Sequence, residues 1–150
     1  MRRLIATLSI GAITSSLLVS PGQAMAPNPC TIIPAATITA VFGTAPGKLS
    51  TESAGQALKL TLCVYQRGKS KLQIGVGPAV IANSGSGGPA TVSRPDPAFG
   101  PRGHLAYGLT PPYIYATVFF TKGAYYGTVW SNAVTAQGVI TLANALYKSL

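Results

Sequence analysis

This chain has very few acidic side chains and almost no histidine. Glu52 and Asp96 are the only carboxylates among 150 residues, against 11 Lys and Arg, so the formal net charge at pH 7 is +9. The only histidine is His104. General acid–base chemistry and activated nucleophiles need several such groups close together. The sequence therefore predicts a protein that is not an enzyme and that has no metal site and no cofactor.

Cysteine is also scarce, with only Cys30 and Cys63 present. The spacing differs from the C-x-x-C of redox pairs, and a metal site needs further ligands. An even number of cysteines indicates a disulfide where a chain is exported to an oxidising compartment. We expect one structural bond between the two, which stabilises the fold by roughly 3–4 kcal/mol on the chain-entropy model.

Long apolar runs are absent except at the start of the chain. Arg2 and Arg3 precede an apolar stretch over 4–19, and small residues suited to cleavage end at Ala24 and Ala26. This order is typical of a secretory signal peptide. We expect a leader over residues 1–26, cleaved after Ala24 or Ala26, and a secreted or periplasmic mature protein without a transmembrane span.

Residues 27–150 have the length of one domain, and helical patterns occur near both of its ends. Pro34 suits a first helical position and Gly43 suits a C-terminal cap, which predicts a short helix between them. Apolar residues at helical spacing predict a second helix over 135–150, with Asn132 or Thr135 as its N-cap.

Two β-hairpins are predicted between these helices. Alternating apolar residues mark strands over 58–65 and 72–76, and a three-residue turn centred on Gly68 places their apolar residues on one face. The expected pairs are Val64 with Leu72, Leu62 with Ile74 and Leu60 with Val76. The second hairpin joins 113–121 to 124–130 through Lys122 and Gly123. Its expected pairs are Phe119 with Tyr126, Thr117 with Thr128 and Tyr115 with Trp130.

The remaining segments have loop composition. Residues 44–56 are rich in small and turn-forming types, and 77–112 is a long stretch rich in Gly and Pro without sustained periodicity. The sequence therefore predicts a single α+β domain with an antiparallel sheet of about four to five strands. A short N-terminal helix and a C-terminal helix flank this sheet, and one disulfide is present.

Two groups of residues are candidates for binding. The first hairpin concentrates cations that suit an anionic ligand, with Tyr65 expected opposite Lys71. These cations are Lys59, Arg67, Lys69 and Lys71. The alternative is a solvated hairpin that its lysines keep from aggregating.

The second hairpin carries an aromatic face that suits a sugar or an apolar ligand. Its members are Tyr113, Tyr115, Phe119, Tyr126 and Trp130. The alternative, which we favour at this point, is that a helix covers this face as core.

Short motifs give the chain a family resemblance. The start Asn28-Pro29-Cys30-Thr31, the helix end Phe42-Gly43 and the strand motif Leu62-Cys63-Val64-Tyr65 resemble a group of actinobacterial exported envelope proteins and lipoproteins. Members of this group usually begin with Asp-Pro-Cys, carry a second cysteine on a strand and end in an Ala/Leu helix, as in 140–150 here. The chain departs from the group because it lacks a lipidation cysteine. The group has no generally assigned activity, so the resemblance implies fold and location.

These observations predict a small exported protein that acts by binding in the cell envelope or the medium. The excess of positive charge suits an anionic envelope polymer or glycan, and no specific nucleic acid is expected. One alternative is a dedicated binding module for such polymers that uses the basic hairpin. The other is a small secreted hydrolase or inhibitor that uses the 77–112 loop, with His104 as a candidate general base.

Overall fold

The computed structural model describes residues 26–43, 46–53, 59–80, 91–108 and 114–150. They form an α+β unit with two helices and seven strands. The elements in chain order are α1 (Ala35–Phe42), β1 (Gly47–Ser53), β2 (Lys59–Arg67), β3 (Ser70–Pro78), β4 (Thr91–Pro95), β5 (His104–Gly108), β6 (Tyr115–Lys122), β7 (Tyr125–Ser131) and α2 (Ala136–Ser149). A 3₁₀ turn, Pro97–Phe99, lies between β4 and β5.

All seven strands belong to one antiparallel sheet in the order β1-β2-β3-β7-β6-β5-β4. The predicted α+β class is confirmed, but the sheet has more strands than the four to five predicted. The prediction of loops over 44–56 and 77–112 is wrong where the structure places β1, β4 and β5. Two of these three strands, β1 and β4, lie at the edges of the sheet, where little apolar burial is needed to hold a strand.

Both helices belong to a core on one face of the sheet, which we call the helix face. The main buried cluster joins Ile38 and Phe42 of α1 with the apolar face of α2 and with alternate residues of the strands. Its fully buried strand members are Cys63, Leu72, Ile74, Val76, Leu105, Val118, Phe120 and Val129. Leu62, Ala106 and Tyr126 alternate with these residues and are buried, yet they are not in that cluster. They lie on the opposite side of the sheet, which we call the open face.

Both predicted helices are confirmed. Pro34 precedes α1, and Gly43, at a φ of 87°, follows its last residue. Thr135 is the N-cap of α2, because its side chain accepts a hydrogen bond from the Gly138 amide at 3.2 Å. The apolar stripe of α2 is fully buried, as its helical spacing requires. The residues of this stripe are Val139, Leu142, Ala143 and Leu146.

The first hairpin forms, but its predicted register is wrong by one residue. Arg67 pairs with Ser70 around a two-residue turn, and Gly68 has a φ of 59° that favours glycine there. The observed pairs are Tyr65 with Leu72, Cys63 with Ile74 and Thr61 with Val76. A one-residue shift moves a strand's side chains to the other face. Strand β2 is therefore apolar on both sides: Cys63 and Tyr65 lie on the helix face, and Leu62 and Val64 on the open face.

The second hairpin keeps its predicted faces, although its predicted pairing is wrong by two positions. The turn is Gly123-Ala124, so Lys122 pairs with Tyr125 and Phe119 with Thr128 instead of Tyr126. Trp130 pairs with Thr117 instead of Tyr115. A shift of two residues preserves the side on which each side chain lies. The described aromatic residues of the predicted set therefore share one face of the sheet, as predicted. These residues are Tyr115, Phe119, Tyr126 and Trp130.

The predicted disulfide is confirmed, with Cys30 and Cys63 joined at a Cα–Cα distance of 4.9 Å. It links the segment before α1 to β2. Among the residues that the structure describes, no helix is long and apolar enough to cross a membrane. Residues 1–25 of the predicted leader, which include the cleavage position at Ala24, lie outside the described residues. Ala26, the other predicted cleavage position, is described and packs against the core.

Candidate functional site

Aromatic side chains of the second hairpin lie together on the open face. The rings of Tyr115 and Trp130 stack with centroids 6.2 Å apart and an interplanar angle of 28°. His104 of the neighbouring β5 stacks on Phe119 at 5.3 Å and 9°. All four side chains are half-buried. Tyr113, the remaining predicted member besides Tyr126, lies outside the described residues.

The preferred prediction for this face, coverage by a helix, is wrong. Helix α2 packs against β6 and β7 through the alternate residues Ala116, Val118, Phe120 and Val129. Successive side chains of a strand point to opposite faces, so Phe120 faces α2 whereas Phe119 faces away from it. The aromatic residues were expected in the core because large rings are usually buried. Phe120 is the only large ring that β6 and β7 contribute to the buried cluster with the helices. The other buried residues of these two strands in that cluster are Ala116, Val118 and Val129.

Tyr126 is the buried member of the aromatic set. It is 8% exposed, and burial raises the pKa of its phenol above the ordinary value, although a hydrogen bond with Thr128 acts in the other direction. On the same face, Leu62 of β2 packs close to Gly75 of β3, where an added Cβ would lie 2.8 Å from a Leu62 methyl carbon. The open face is therefore apolar and buried at Leu62 and Tyr126.

Polar residues occupy the register positions beside Trp130 at the other end of the same face. Gln73 of β3 and Thr117 of β6 lie directly across from it. Lys71 lies two residues from Gln73 on the same side of β3, a diagonal position at roughly 7–8 Å between Cα atoms. Asn132 directly follows β7 and forms hydrogen bonds with the backbone of Lys69 and Lys71. Trp130 thus has an amide and a hydroxyl residue at its two cross-strand positions and a lysine at a diagonal position of the same face.

Two side chains tie the end of the first hairpin to the end of β7. The Lys71 amide donates to Asn132 Oδ1 at 2.7 Å, and Asn132 Nδ2 donates to the Lys69 carbonyl at 3.0 Å. The fully buried Ser131 hydroxyl donates to the Lys71 carbonyl at 2.8 Å. These hydrogen bonds hold the backbone of Lys71 beside the strand that carries Trp130.

We expect Ser131→Ala to destabilise the protein by about 2 kcal/mol, because it leaves buried polar groups without partners. Ser131 Oγ also accepts from the amides of Ala133 and Val134, both at 3.1 Å. Urea unfolding followed by circular dichroism measures the loss. Ser149→Ala is the matched control, since that exposed hydroxyl only donates to the Ala145 carbonyl of its own helix. A control variant that loses as much stability as Ser131→Ala would contradict this assignment.

The structure does not bring the four cations of the predicted anion site together. Lys59 starts β2 and Arg67 ends it, so about 26 Å of strand separates them. The Arg67 guanidinium lies over the Phe42 ring, 5.6 Å from its centroid, on the helix face. Lys71 pairs with Gln66 and not with Tyr65, so Lys71 and Tyr65 lie on opposite faces. Only Lys71 belongs to the open face, with Lys69 in the adjoining turn.

The groups with potential acid–base chemistry have structural contacts. Asp96 is the N-cap of the 3₁₀ turn and accepts from the Ala98 amide at 3.1 Å. His104, expected in a loop, begins β5 and stacks on Phe119. Within the described ranges, no group of three or more His, Cys, Asp or Glu side chains is placed to hold a metal ion.

A cavity of about 420 Å³ adjoins the aromatic face. Tyr115 and Ile114 line one side, and Ala133, Val134 and Ala136 at the start of α2 line another. Sequence reasoning did not find it because its walls come from segments that are distant along the chain. Its mostly apolar walls suit a small apolar group next to the Tyr115 ring.

Comparison with family models finds no match, and comparisons with curated proteins and with solved structures find no significant match. The geometry of the open face is therefore the basis on which a function can be inferred. Its features are the stacked Tyr115–Trp130 pair, the polar groups around it and the adjoining cavity.

Proposed function

We propose that this protein is an exported, non-enzymatic binding protein of the cell envelope or the medium, and that it holds an anionic glycan on the open face of its sheet. One observation carries this proposal: the stacked rings of Tyr115 and Trp130 lie on the face of the sheet away from both helices. Export is inferred from the leader pattern over residues 1–26.

Carbohydrate suits this surface because sugar rings are apolar on their faces and polar at their edges. An aromatic ring offers a flat apolar surface at low entropic cost, since its side chain has few rotatable bonds. The rings of Trp130 and Tyr115 supply that surface. Gln73 and Thr117, directly across from Trp130, supply hydrogen-bonding groups for hydroxyls at the sugar's edge.

The charge of the chain favours an acidic glycan over a neutral one. Without Arg2 and Arg3 of the predicted leader, nine Lys and Arg remain against two carboxylates, and the resulting formal net charge of +7 attracts polyanions from a distance. On the open face itself, Lys71 lies diagonally from Trp130, and Lys48 lies further along the sheet, opposite Val64. A carboxylate or phosphate on a sugar stacked over Trp130 therefore has an ammonium group within reach.

The ring of Trp130 is expected to dominate the affinity. Trp130→Ala weakens binding of a hexuronic-acid oligosaccharide about tenfold, the equivalent of about 1.4 kcal/mol of lost stacking. Trp130→Phe retains most of the affinity because a flat ring remains. Isothermal titration calorimetry measures both variants, with thermal unfolding as a check on folding. Unchanged affinity in a folded Trp130→Ala variant would reject the open face as the binding site.

The contribution of the Lys71 ammonium to binding is tested by comparing its removal with the removal of Lys148, a cation distant from the open face. Lys71→Gln weakens binding about threefold and reduces its salt dependence, as expected for an exposed charge pair. Lys148→Gln removes the same charge from the exposed end of α2 and changes affinity little. Equal losses in the two variants would mean that only the overall charge attracts the glycan.

A further inference from the structure

Within the described ranges, strand β1 forms one edge of the sheet. It is seven residues long, contains no proline, and pairs with β2 on its inner side. No strand in the described ranges pairs with its outer side. Residues 47–51 are exposed, and Leu49 keeps 54% of its surface in solvent. A strand of this kind presents a row of backbone hydrogen-bonding groups to another chain.

The opposite edge differs. Strand β4 has five residues and ends at Pro95, which has no amide to donate to a neighbour. Its exposed members include Ser93 and Arg94. Short length and proline are among the usual means by which proteins block pairing at a sheet edge. Of the two edges, β1 is therefore the one suited to accept a further strand.

The order of residues in β1 is self-complementary. In an antiparallel pair of two β1 strands with Ser50 opposite Ser50, Lys48 stands opposite Glu52 of the second copy, and Glu52 opposite Lys48 of the second copy. Leu49 then stands opposite Thr51 of the second copy. Opposite charges directly across an antiparallel pair stabilise it, and like charges destabilise it. The sequence Gly-Lys-Leu-Ser-Thr-Glu-Ser places these charges symmetrically about its centre.

We propose that two copies of this protein pair through their β1 strands into a symmetric dimer with a continuous fourteen-stranded sheet. The two-fold axis passes through the Ser50 pair, perpendicular to the sheet. This symmetry keeps the helices of both copies on one side and the two open faces on the other. The pairing also covers part of the exposed Leu49 side chain. It does not depend on whether the open face binds a glycan.

A charge exchange tests the register. Lys48→Glu places two like pairs at the interface and weakens dimerisation about tenfold or more, and Glu52→Lys does the same. The double variant Lys48→Glu/Glu52→Lys restores the dimer to within about threefold of the original. Analytical ultracentrifugation over a concentration series measures the dissociation constants, and circular dichroism confirms that each variant is folded. A protein that stays monomeric at all concentrations, or a double variant no better than the single ones, overturns the proposal.

A crosslink tests the position of the axis independently of charge. Residues directly opposite in an antiparallel pair have Cα atoms about 4.5–5.5 Å apart, which suits a disulfide. Ser50→Cys is therefore expected to form a covalent dimer on oxidation. In the control Thr51→Cys, the two cysteines are roughly 8 Å apart, beyond the reach of the bond. Since Cys30 and Cys63 are already paired, the new thiol has no native partner. A crosslink at residue 51 but not at residue 50 would contradict the register.

Discussion

Phe120→Ala is expected to destabilise the protein by about 4 kcal/mol, the cost of a large cavity in a packed core. The Phe120 ring is fully buried. It stacks on Phe99 at 5.6 Å and meets Tyr147 of α2 edge-on at 5.0 Å. Gly127 on β7 leaves the room for this ring, because a Cβ there would lie 2.5 Å from its tip. Phe120 thus links three parts of the core, and few neighbours can move to fill its place.

The neighbouring Phe119→Ala provides the control for Phe120→Ala. Phe119 is half-buried on the open face and stacks on His104, so its loss is expected to cost about 1 kcal/mol. The two variants remove the same atoms one residue apart, and only the side of the sheet differs. Urea unfolding gives both free energies. Equal losses, or a larger loss for Phe119→Ala, would contradict the assignment of the helix face and the open face.

Removal of the Cys30–Cys63 disulfide is expected to cost about 4 kcal/mol. The cysteines are 33 residues apart, and the bond removes the loop-closure entropy of that segment from the unfolded chain. The loop contains α1 and β1, and neither makes many contacts with the opposite half of the sheet. We expect the midpoint of thermal unfolding to fall by more than 10 °C.

Two experiments distinguish the contribution of the disulfide bond from that of the buried sulfur atoms. Reduction of the native protein breaks the bond and keeps both side chains, whereas Cys30→Ala/Cys63→Ala also removes the buried Cys63 sulfur. Unfolding in urea with and without a reductant gives the first value, and the variant gives a value at least as large. A loss below 1 kcal/mol on reduction would show that the bond adds little constraint to the segment carrying α1 and β1.

The sequence predicts the elements that bury a strong apolar pattern. Helix α2 keeps its apolar stripe at helical spacing, and the two hairpins alternate regularly around glycine turns. Strand β1 was missed because it is exposed over 47–51 and carries only Leu49 as a large apolar residue. Strands β4 and β5 were missed because each has five residues and both lie among glycines and prolines. Short strands such as these are held by their neighbours in the sheet more than by their own pattern.

The candidate site was predicted in its residues but not in its surroundings. The alternation in the second hairpin correctly places Trp130, Tyr115 and Phe119 on one side. The side of the sheet that the helices cover depends on how α2 packs against it. The alternation of residues in β6 and β7 does not predict that packing. The basic cluster fails for a different reason. The four cations are close in the sequence, but the extended strands separate them in space. Lys59 and Arg67 lie at opposite ends of β2, and Arg67 and Lys71 project from opposite faces of the sheet.

The central claim, that the open face binds an acidic glycan, is tested most directly by the fluorescence of Trp130. This is the only tryptophan of the chain, so its emission reports on the proposed site alone. Titration with a hexuronic-acid oligosaccharide is expected to give a saturable change in emission, weakened by salt. The same oligosaccharide with its carboxyl groups reduced to alcohols gives a much weaker response. Calorimetric binding without any change in Trp130 emission, or no binding at low salt, would contradict the account.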